Sequence, residues 1–567
     1  MSAESKAGKG MQGISPGKLV LVLLLSLTSG LSAQSRKHPG YQLVDIPLAN
    51  FNSGITGMDF LPDGRMIITT YRGDTAKAAG GAAFGRANWG QAYILSNIQG
   101  DPRNVTCTLV ADKFLDAMGV KVVDGKIYIG EINKLIRLAD ADGDGVFETK
   151  ETLADLPPDD ANLAYSYGPI YKDGYLYMTL GSPVSRSTDR GTVVKIPIEG
   201  GPYEVIASGL RSPNGIGWGP DDEIFVTDNQ GTWRPASILT HIQPGKFYGF
   251  SLGGTRGEVT PPSIHLPYQV FNNSPTQPLY MTSGRYAGQF LYGDWAKLSL
   301  FRAFVEKVNG AYQGAAFFFT GGLKSPVDRM VVDEKGVIYL GEMTLAMGPN
   351  GPQKLIPQPD AAVFEMMAVR SRKGGLEIEF SQPVGQMANQ ASFYTVENWY
   401  YTPTVNYYND PQGVAPLTVT AVQVSEDRKR VYLQLDGMTA GKVVHITLGA
   451  GLQSQSAQTV WTNDAYYTLN SISDSQPFMT SGIANRDIPM AGPLIRTVSG
   501  RLQIQWQGTG FTSLSLQGIQ GSSLGTFDVT GLQAFPFPDG LSHRGLLIAK
   551  LRGKDALIAA KIMTGMR

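Results

Sequence analysis

Apolar and polar residues alternate along most of this chain with the period of two that marks half-buried strands. From about residue 41 to 357 one unit recurs: a Gly-containing turn, an apolar strand, a polar turn on Asp-Gly or its like, and a second alternating strand. Copies stand at residues 57–68, 119–129, 168–178, 214–226 and 328–340, with a degenerate one around 288–293. Asp63-Gly64, Asp124-Gly125 and Asp173-Gly174 are strong hairpin signals, because Gly takes positive φ without steric cost. A spacing of roughly 45 to 65 residues fits one four-stranded blade with variable loops. The pattern predicts an all-β chain whose main domain, residues 41–359, is a six-bladed β-propeller.

Beyond residue 360 the pattern changes. Alternating runs at 375–380, 393–396, 417–424, 430–435 and 443–448, with turns between, predict an Ig-like β-sandwich over 361–472. Trp399, Tyr400, Tyr401, Tyr407 and Tyr408 cluster within it and read as core and inter-domain packing more than as a sugar-stacking platform. A linker follows at 473–496, then a small β unit at 497–567, opened by the run 501–506.

Composition narrows the class. The chain has 567 residues, too many for one core, and 48 basic residues balance 48 acidic ones. That balance, without a basic stripe, excludes nucleic acid as a partner. Lys6, Lys9 and Lys18 precede an apolar run at 19–27, and small residues at 31–33 then offer a cleavage site before Gln34. This is the three-part layout of an export signal over residues 1–33; the run is too short for a comfortable membrane span, so no transmembrane span is expected in the mature chain. Cys107 is the single cysteine, so no internal disulfide forms, and it reads as a small hydrophobe within a strand.

Two clusters carry candidate chemistry. Asp140, Asp142, Asp144, Gly145, Glu148 and Glu151 fit the calcium-loop spacing D-x-D-x-D-G-x5-E in full. Carboxylates at alternate positions converge on one cation, and the last Glu can close the shell. Residues 135–138 read as a strand, so this is a structural calcium turn inside a blade, not an EF-hand. The second cluster brackets the fourth hairpin. Arg211 and Asn214 precede its first strand, and Asp228, Gln230, Gly231 and Thr232 follow its second. Antiparallel pairing returns both ends to one mouth of the propeller. A guanidinium there can pair with an anionic ligand.

The stretch 209–218, the loop Thr227-Asp228-Asn229-Gln230-Gly231 and the close Gly245-Lys246-Phe247-Tyr248-Gly249 resemble soluble quinoprotein aldose dehydrogenases, the glucose/sorbosone dehydrogenase type. The resemblance covers the propeller part of the chain. It implies oxidation of a sugar-like small molecule with pyrroloquinoline quinone and calcium. Arg211 and Gln230 would then contact the quinone, the backbone oxygens of Gly231 and Thr232 would face calcium, and Arg329, with Lys324, would supply the second cationic clamp. The family's catalytic histidine has no counterpart: residues 164–168 read Ala-Tyr-Ser-Tyr-Gly, leaving Tyr165 and Tyr167, together with Asp228, as the catalytic candidates. The same blade-four residues also resemble gluconolactonase-type propellers, in which Asn214 would hold a divalent metal for lactone hydrolysis. A non-catalytic propeller binding a glycan or protein is the third reading. Residues 380–384 and 393–396 resemble bacterial Ig-like modules. The C-terminal unit resembles type IX secretion sorting domains, which implies secretion machinery as a partner and a secreted or cell-surface location.

Overall fold

The Asp-Gly pairs turn the chain as their chemistry requires. Asp124 and Gly125 take φ of 49° and 79°, and Asp173 and Gly174 take 49° and 84°, so both residues of each pair sit in the left-handed region that a two-residue hairpin needs. The structure is a computed structural model. It describes residues 36–478 apart from 50, 52, 71–88, 158–164, 182–188, 252–256 and 344–350, together with the strands within 494–564. The expected export signal at 1–33 and most of the expected linker at 473–496 lie outside the described residues, as does Trp506.

Strand β1 (Tyr41–Asp45) leads into five consecutive four-stranded antiparallel blades. Blade 1 is β2 (Ile55–Phe60), β3 (Met66–Thr70), β4 (Gly90–Ser96) and β5 (Thr106–Phe114). Blade 2 is β6 (Val120–Val123), β7 (Lys126–Glu131), β8 (Lys134–Ala139) and β9 (Thr149–Asp155). Blade 3 is β10 (Ser166–Lys172), β11 (Tyr175–Leu180), β12 (Thr192–Pro197) and β13 (Glu204–Ser208). Blade 4 is β14 (Gly215–Trp218), β15 (Ile224–Asp228), β16 (Ser237–His241) and β17 (Ile264–Leu266). Blade 5 is β18 (Leu279–Met281), β19 (Gln289–Tyr292), β20 (Ser299–Val308) and β21 (Ala311–Gly321). Blade 6 is β22 (Val327–Val332), β23 (Ile338–Glu342) and β24 (Gly351–Pro357), completed by β1, whose Tyr41 pairs with Pro357 and whose Asp45 pairs with Gln353. The N-terminal strand thus closes the ring, and the chain is an all-β six-bladed propeller followed by a β-sandwich. The degenerate fifth unit is real, but its first strand, β18, has three residues and no Asp-Gly turn after it.

Neighbouring blades are stitched by a repeated hydroxyl. Thr56 Oγ1 donates to Ala117 O at 2.6 Å, Thr179 Oγ1 to Pro213 O, Thr227 Oγ1 to Thr276 O and Thr276 Oγ1 to Val327 O, each of these three at 2.8 Å. Glycines let the inner strands approach: a Cβ on Gly119 would stand 2.0 Å from Gly168 O, and one on Gly215 would stand 2.4 Å from Gln277 Cα. The axial cavity left between them measures about 30 Å³, room for one water. A ligand the size of a sugar or a quinone therefore does not fit within the channel itself.

The sandwich consists of β25 (Met366–Arg372), β26 (Gly375–Phe380), β27 (Tyr394–Tyr400), β28 (Gln412–Pro416), β29 (Thr418–Val424), β30 (Arg430–Asp436), β31 (Lys442–Leu448) and β32 (Asp464–Leu469). One of its sheets runs β25-β26-β30-β29. The other is continuous with blade 5: β21 pairs with β32, giving the order β18-β19-β20-β21-β32-β31-β27-β28. Ala315 and Phe317 of β21 sit in the core of the sandwich, and Trp399, Val443 and Tyr466 of the sandwich sit in a core with Phe225 and Phe301 of blades 4 and 5. Propeller and sandwich thus form one compact unit through Phe478. A buried relay at the junction runs from Tyr286, whose hydroxyl donates to Glu365 at 2.6 Å, to Arg302, whose Nη2 donates to the same carboxylate at 3.0 Å. Seven strands between Leu494 and Thr564 form a separate unit of two sheets, with three and four strands. Cys107 lies on β5, half-buried, and burial pushes its thiol up to about 12, out of reach of thiolate chemistry at neutral pH. No described helix is long and apolar enough to cross a membrane.

Candidate functional site

In blade 4, pairing of Gly215 with Thr227 brings the loop before the first strand and the loop after the second to one end of the sheet, the mouth of that blade. A carboxylate at the end of the second strand organises such loops in several blades. In blade 4 it is Asp228. Its Oδ2 accepts the amide of Arg211 and its Oδ1 those of Ser212 and Asn229, all at 2.8 Å. The Arg234 guanidinium pairs with Oδ2 at 2.8 Å, both side chains being buried. Asp294 does the same in blade 5, accepting from the amides of Asn273, Ser274 and Ala296. Glu131 in blade 2 accepts the Leu115 amide at 3.0 Å. Glu342 in blade 6 faces the amides of Lys324 and Ser325 without closing a hydrogen bond, and burial pushes it up to about 9. Asp228, expected as a catalytic group, is therefore a latch: four donors occupy its oxygens, and none is left for proton transfer.

Arg329 also departs from expectation. Its guanidinium bridges three blades, donating to Met118 O at 2.9 Å, Asn214 O at 3.2 Å, Asn214 Oδ1 at 3.1 Å and Asp328 O at 2.8 Å. It pairs with Asp328 Oδ2 at 3.2 Å. Asn214 in turn donates to Asp328 Oδ1 at 2.8 Å, and Trp295 Nε1 donates to the same oxygen. These groups form a cross-axis strut that commits both Nη atoms of Arg329 to protein oxygens, so the guanidinium is held across the axis as a structural tie and not presented as a cofactor clamp. Asn214 as a metal ligand fails for the same reason, since a cation at its Oδ1 would face the Arg329 guanidinium. Lys324 stands off at the blade edge, 3.8 Å from Asp45.

Tyr165 and Tyr167 are buried beside Met118, Ile132 and Met343 in an apolar cluster that Leu115 and Trp295 pack against. The Arg329 guanidinium lies 5.7 Å above the Tyr167 ring, and the Tyr167 hydroxyl is 3.5 Å from Ser212 Oγ. Burial raises the Tyr167 hydroxyl well above its ordinary value, more than Arg329 and Arg211 offset it. A phenol in that state cannot accept a proton near neutral pH. Burial likewise raises Asp328. Gly231 and Arg234 exchange backbone hydrogen bonds of 2.9 and 2.8 Å, so the Gly231 oxygen is engaged within a tight turn that has Thr232 at its tip. Glycine at 231 lets Arg211 lie across it: a Cβ there would stand 2.3 Å from Arg211 Cδ and displace the arginine.

Arg211 and Gln230 remain, and the structure brings them together. Arg211 is 8 % exposed, and its guanidinium lies 4.8 Å over the ring of Tyr407. Gln230 Nε2 donates to the Tyr407 hydroxyl at 3.2 Å, and Gln230 Oε1 accepts from Ser237 at 2.9 Å. Among the described residues Arg211 has no carboxylate partner within ion-pair distance. Tyr407 comes from the sandwich, 177 positions from Gln230 in sequence, and no local pattern could have placed it.

The acidic turn of blade 2 lies apart from the mouth. Ligand oxygens of Asp140, Asp142, Asp144 and Glu148 lie within 4.8 Å of one another. The turn is pre-shaped: Asp140 accepts the amides of Gly143 and Gly145 at 2.7 and 2.9 Å, Asp144 that of Val146, and Glu148 that of Ala141. Glu151 is not in the group. On β9 it pairs opposite Arg137 of β8, and the two side chains meet at 2.8 Å, so the ion pair takes the carboxylate that the loop spacing had assigned to the cation.

No protein-family model matches the chain, and no curated protein matches it. Solved structures resemble its propeller. A glucose dehydrogenase-type oxidoreductase from Thermus thermophilus shares 18 % identity at a TM-score of 0.43, over 56 % of this chain and 100 % of that one. The PQQ-bound aldose sugar dehydrogenase from Streptomyces coelicolor shares 15 % at 0.43, over 56 % and 98 %. The PQQ domain of pyranose dehydrogenase from Coprinopsis cinerea shares 10 % at 0.42, over 57 % and 97 %.

Proposed function

We propose that this chain is an exported, oxidoreductase-type propeller whose blade-four mouth binds a carboxylated quinone and a sugar-like alcohol or aldehyde, with calcium held at the blade-two turn. The observation that carries the reading is Arg211, a largely buried cation at the mouth without a carboxylate partner among the described residues. A buried charge in that state favours an anionic ligand. Pyrroloquinoline quinone, the cofactor implied by the sequence resemblance, carries carboxylates that a guanidinium engages in a two-pronged hydrogen bond, and it supplies a two-electron acceptor when bound. Arg211 fits its binding, while the buried Gln230 amide, bonded to Tyr407 and Ser237, positions Tyr407 beside Arg211. The described residues do not fit its catalytic half: Tyr165 and Tyr167 are buried, Asp228 is saturated, and Gly231 O is engaged. No proton-transfer step is assigned to them. That deficit favours a second reading, a propeller that binds its ligand without turnover. The C-terminal unit would engage secretion machinery.

The test is titration of the purified full-length chain with quinone in the presence of Ca²⁺, followed by aldose-dependent dye reduction. Quinone binding is expected, weakened about tenfold to a hundredfold in Arg211→Ala at an unchanged melting temperature. Binding without dye reduction would select the second reading. Lactone hydrolysis without quinone, or no binding at all, would overturn the first.

A further inference from the structure

We infer that the sandwich supplies a ligand-contacting wall to the propeller mouth: Tyr407 forms a stacking ledge beside Arg211, and together they select a ring that carries a carboxylate. The inference rests on the reading of this mouth as a ligand site.

The loop between β27 and β28 crosses onto blade 4 and is tied down there. Thr404 O accepts the Trp233 amide at 2.7 Å, and the Tyr408 ring packs 4.8 Å from Tyr268. Inside the loop, Thr404 Oγ1 and the Asn409 amide side chain bond to each other at 3.0 and 3.2 Å, which holds the tip in one shape before any ligand arrives. The shared sheet through β21 and β32 prevents the sandwich from swinging away. Tyr407 is thus fixed from both sides, by Gln230 at its hydroxyl and by Arg211 over its ring, yet 45 % of it stays exposed. A rigid, exposed aromatic surface next to a cation without a described carboxylate partner is pre-organised for a ligand that offers a flat or C–H-rich ring face and an anionic group. A quinone tricarboxylate and an acidic pyranose share that chemistry. The adjacent tyrosine serves another purpose, since Tyr408 anchors the loop through Tyr268.

The experiment measures binding of three probes to the full-length chain by calorimetry: pyrroloquinoline quinone, glucuronate, and the acyclic carboxylate gluconate. Tyr407→Ala and Tyr407→Leu are expected to weaken the ring-bearing probe that the wild type binds by about five- to tenfold, while gluconate changes less than about twofold. Tyr407→Phe keeps the stacking face and stays within about threefold of wild type. Loss confined to quinone or to glucuronate identifies the source of the ring. Equal weakening of cyclic and acyclic probes in Tyr407→Ala would mean that the tyrosine only positions Arg211, and the inference falls. The inference alone also falls if Arg211→Ala abolishes binding and Tyr407→Ala leaves it intact. If the wild type binds none of the three, this inference and the reading of the mouth as a ligand site fall together.

Discussion

Two groups of carboxylates in this molecule look alike on paper and behave in opposite ways. Asp140, Asp142, Asp144 and Glu148 crowd an open turn, where each accepts at most two amides and keeps lone pairs toward solvent. Asp228, Asp294 and Asp328 are buried around the mouth, and their hydrogen bonds go to loop amides, Asn214, Trp295 and two arginines. The difference is one of solvent. In the open turn the aspartates repel one another with free acceptor positions, a state that a hard cation relieves. In the interior an unpaired carboxylate is costly, so the fold surrounds these three with donors, and the same side chain becomes a structural latch. Acidic residues beside a site are thus not equivalent candidates for chemistry.

The sharpest way to break this contrast is to remove a latch. Asp228→Ala leaves the buried Arg234 guanidinium without its carboxylate, though still bonded to Gly209 O and Tyr248 O, and frees the amides of Arg211 and Ser212. A loss of about 3–5 kcal/mol is expected in denaturant unfolding. A loss below about 1 kcal/mol would return Asp228 to the catalytic candidates. The open turn should show a smaller effect of the opposite kind. Added Ca²⁺ at a hundredfold excess over its Kd should stabilise the chain by about 2.7 kcal/mol, read as a rise in melting temperature. Asp142→Ala or Asp144→Ala should abolish the rise. Glu151→Gln should leave it in place and change stability by about 0.5 kcal/mol or less, since that carboxylate belongs to Arg137. An unchanged melting curve on chelation would remove the calcium assignment.

The finest test concerns Glu342, the latch left open. Its folded value near 9 lies above the ordinary 4.5, so the native state holds a proton that the unfolded state releases. Stability should therefore fall as pH rises between those values. Glu342→Gln should flatten that part of the profile, adding stability that grows as pH rises from 4.5 toward 8 and adding none at pH 4. A pH profile parallel to wild type would show that the carboxylate is satisfied after all.

Much of the architecture was legible because it is local. Asp-Gly pairs fix hairpins through backbone φ, and the recurrence of that hairpin implies blades, since one twisted four-stranded sheet cannot bury both its faces alone. The fifth unit was faint because β18 is short and lacks the turn signal. The acidic turn was legible for the same local reason, down to Glu148. Glu151 failed because the strand register, set between β8 and β9, hands it to Arg137.

The mouth was legible only as a place. Pairing of β14 with β15 puts residues 211–214 and 228–230 at one end of a sheet, and the sequence alone implied as much. Which of those side chains are spent and which remain available depended on partners from distant parts of the chain. Arg234 claims Asp228, Arg329 of blade 6 claims Asn214, and Tyr407 of the sandwich comes to rest against Arg211 and Gln230. Periodicity and turn chemistry act over a few residues and determine strands, hairpins and the number of blades. Desolvation and hydrogen-bond competition act between segments that only the closed ring and its shared sheet bring together, and they decided the fate of each charged group.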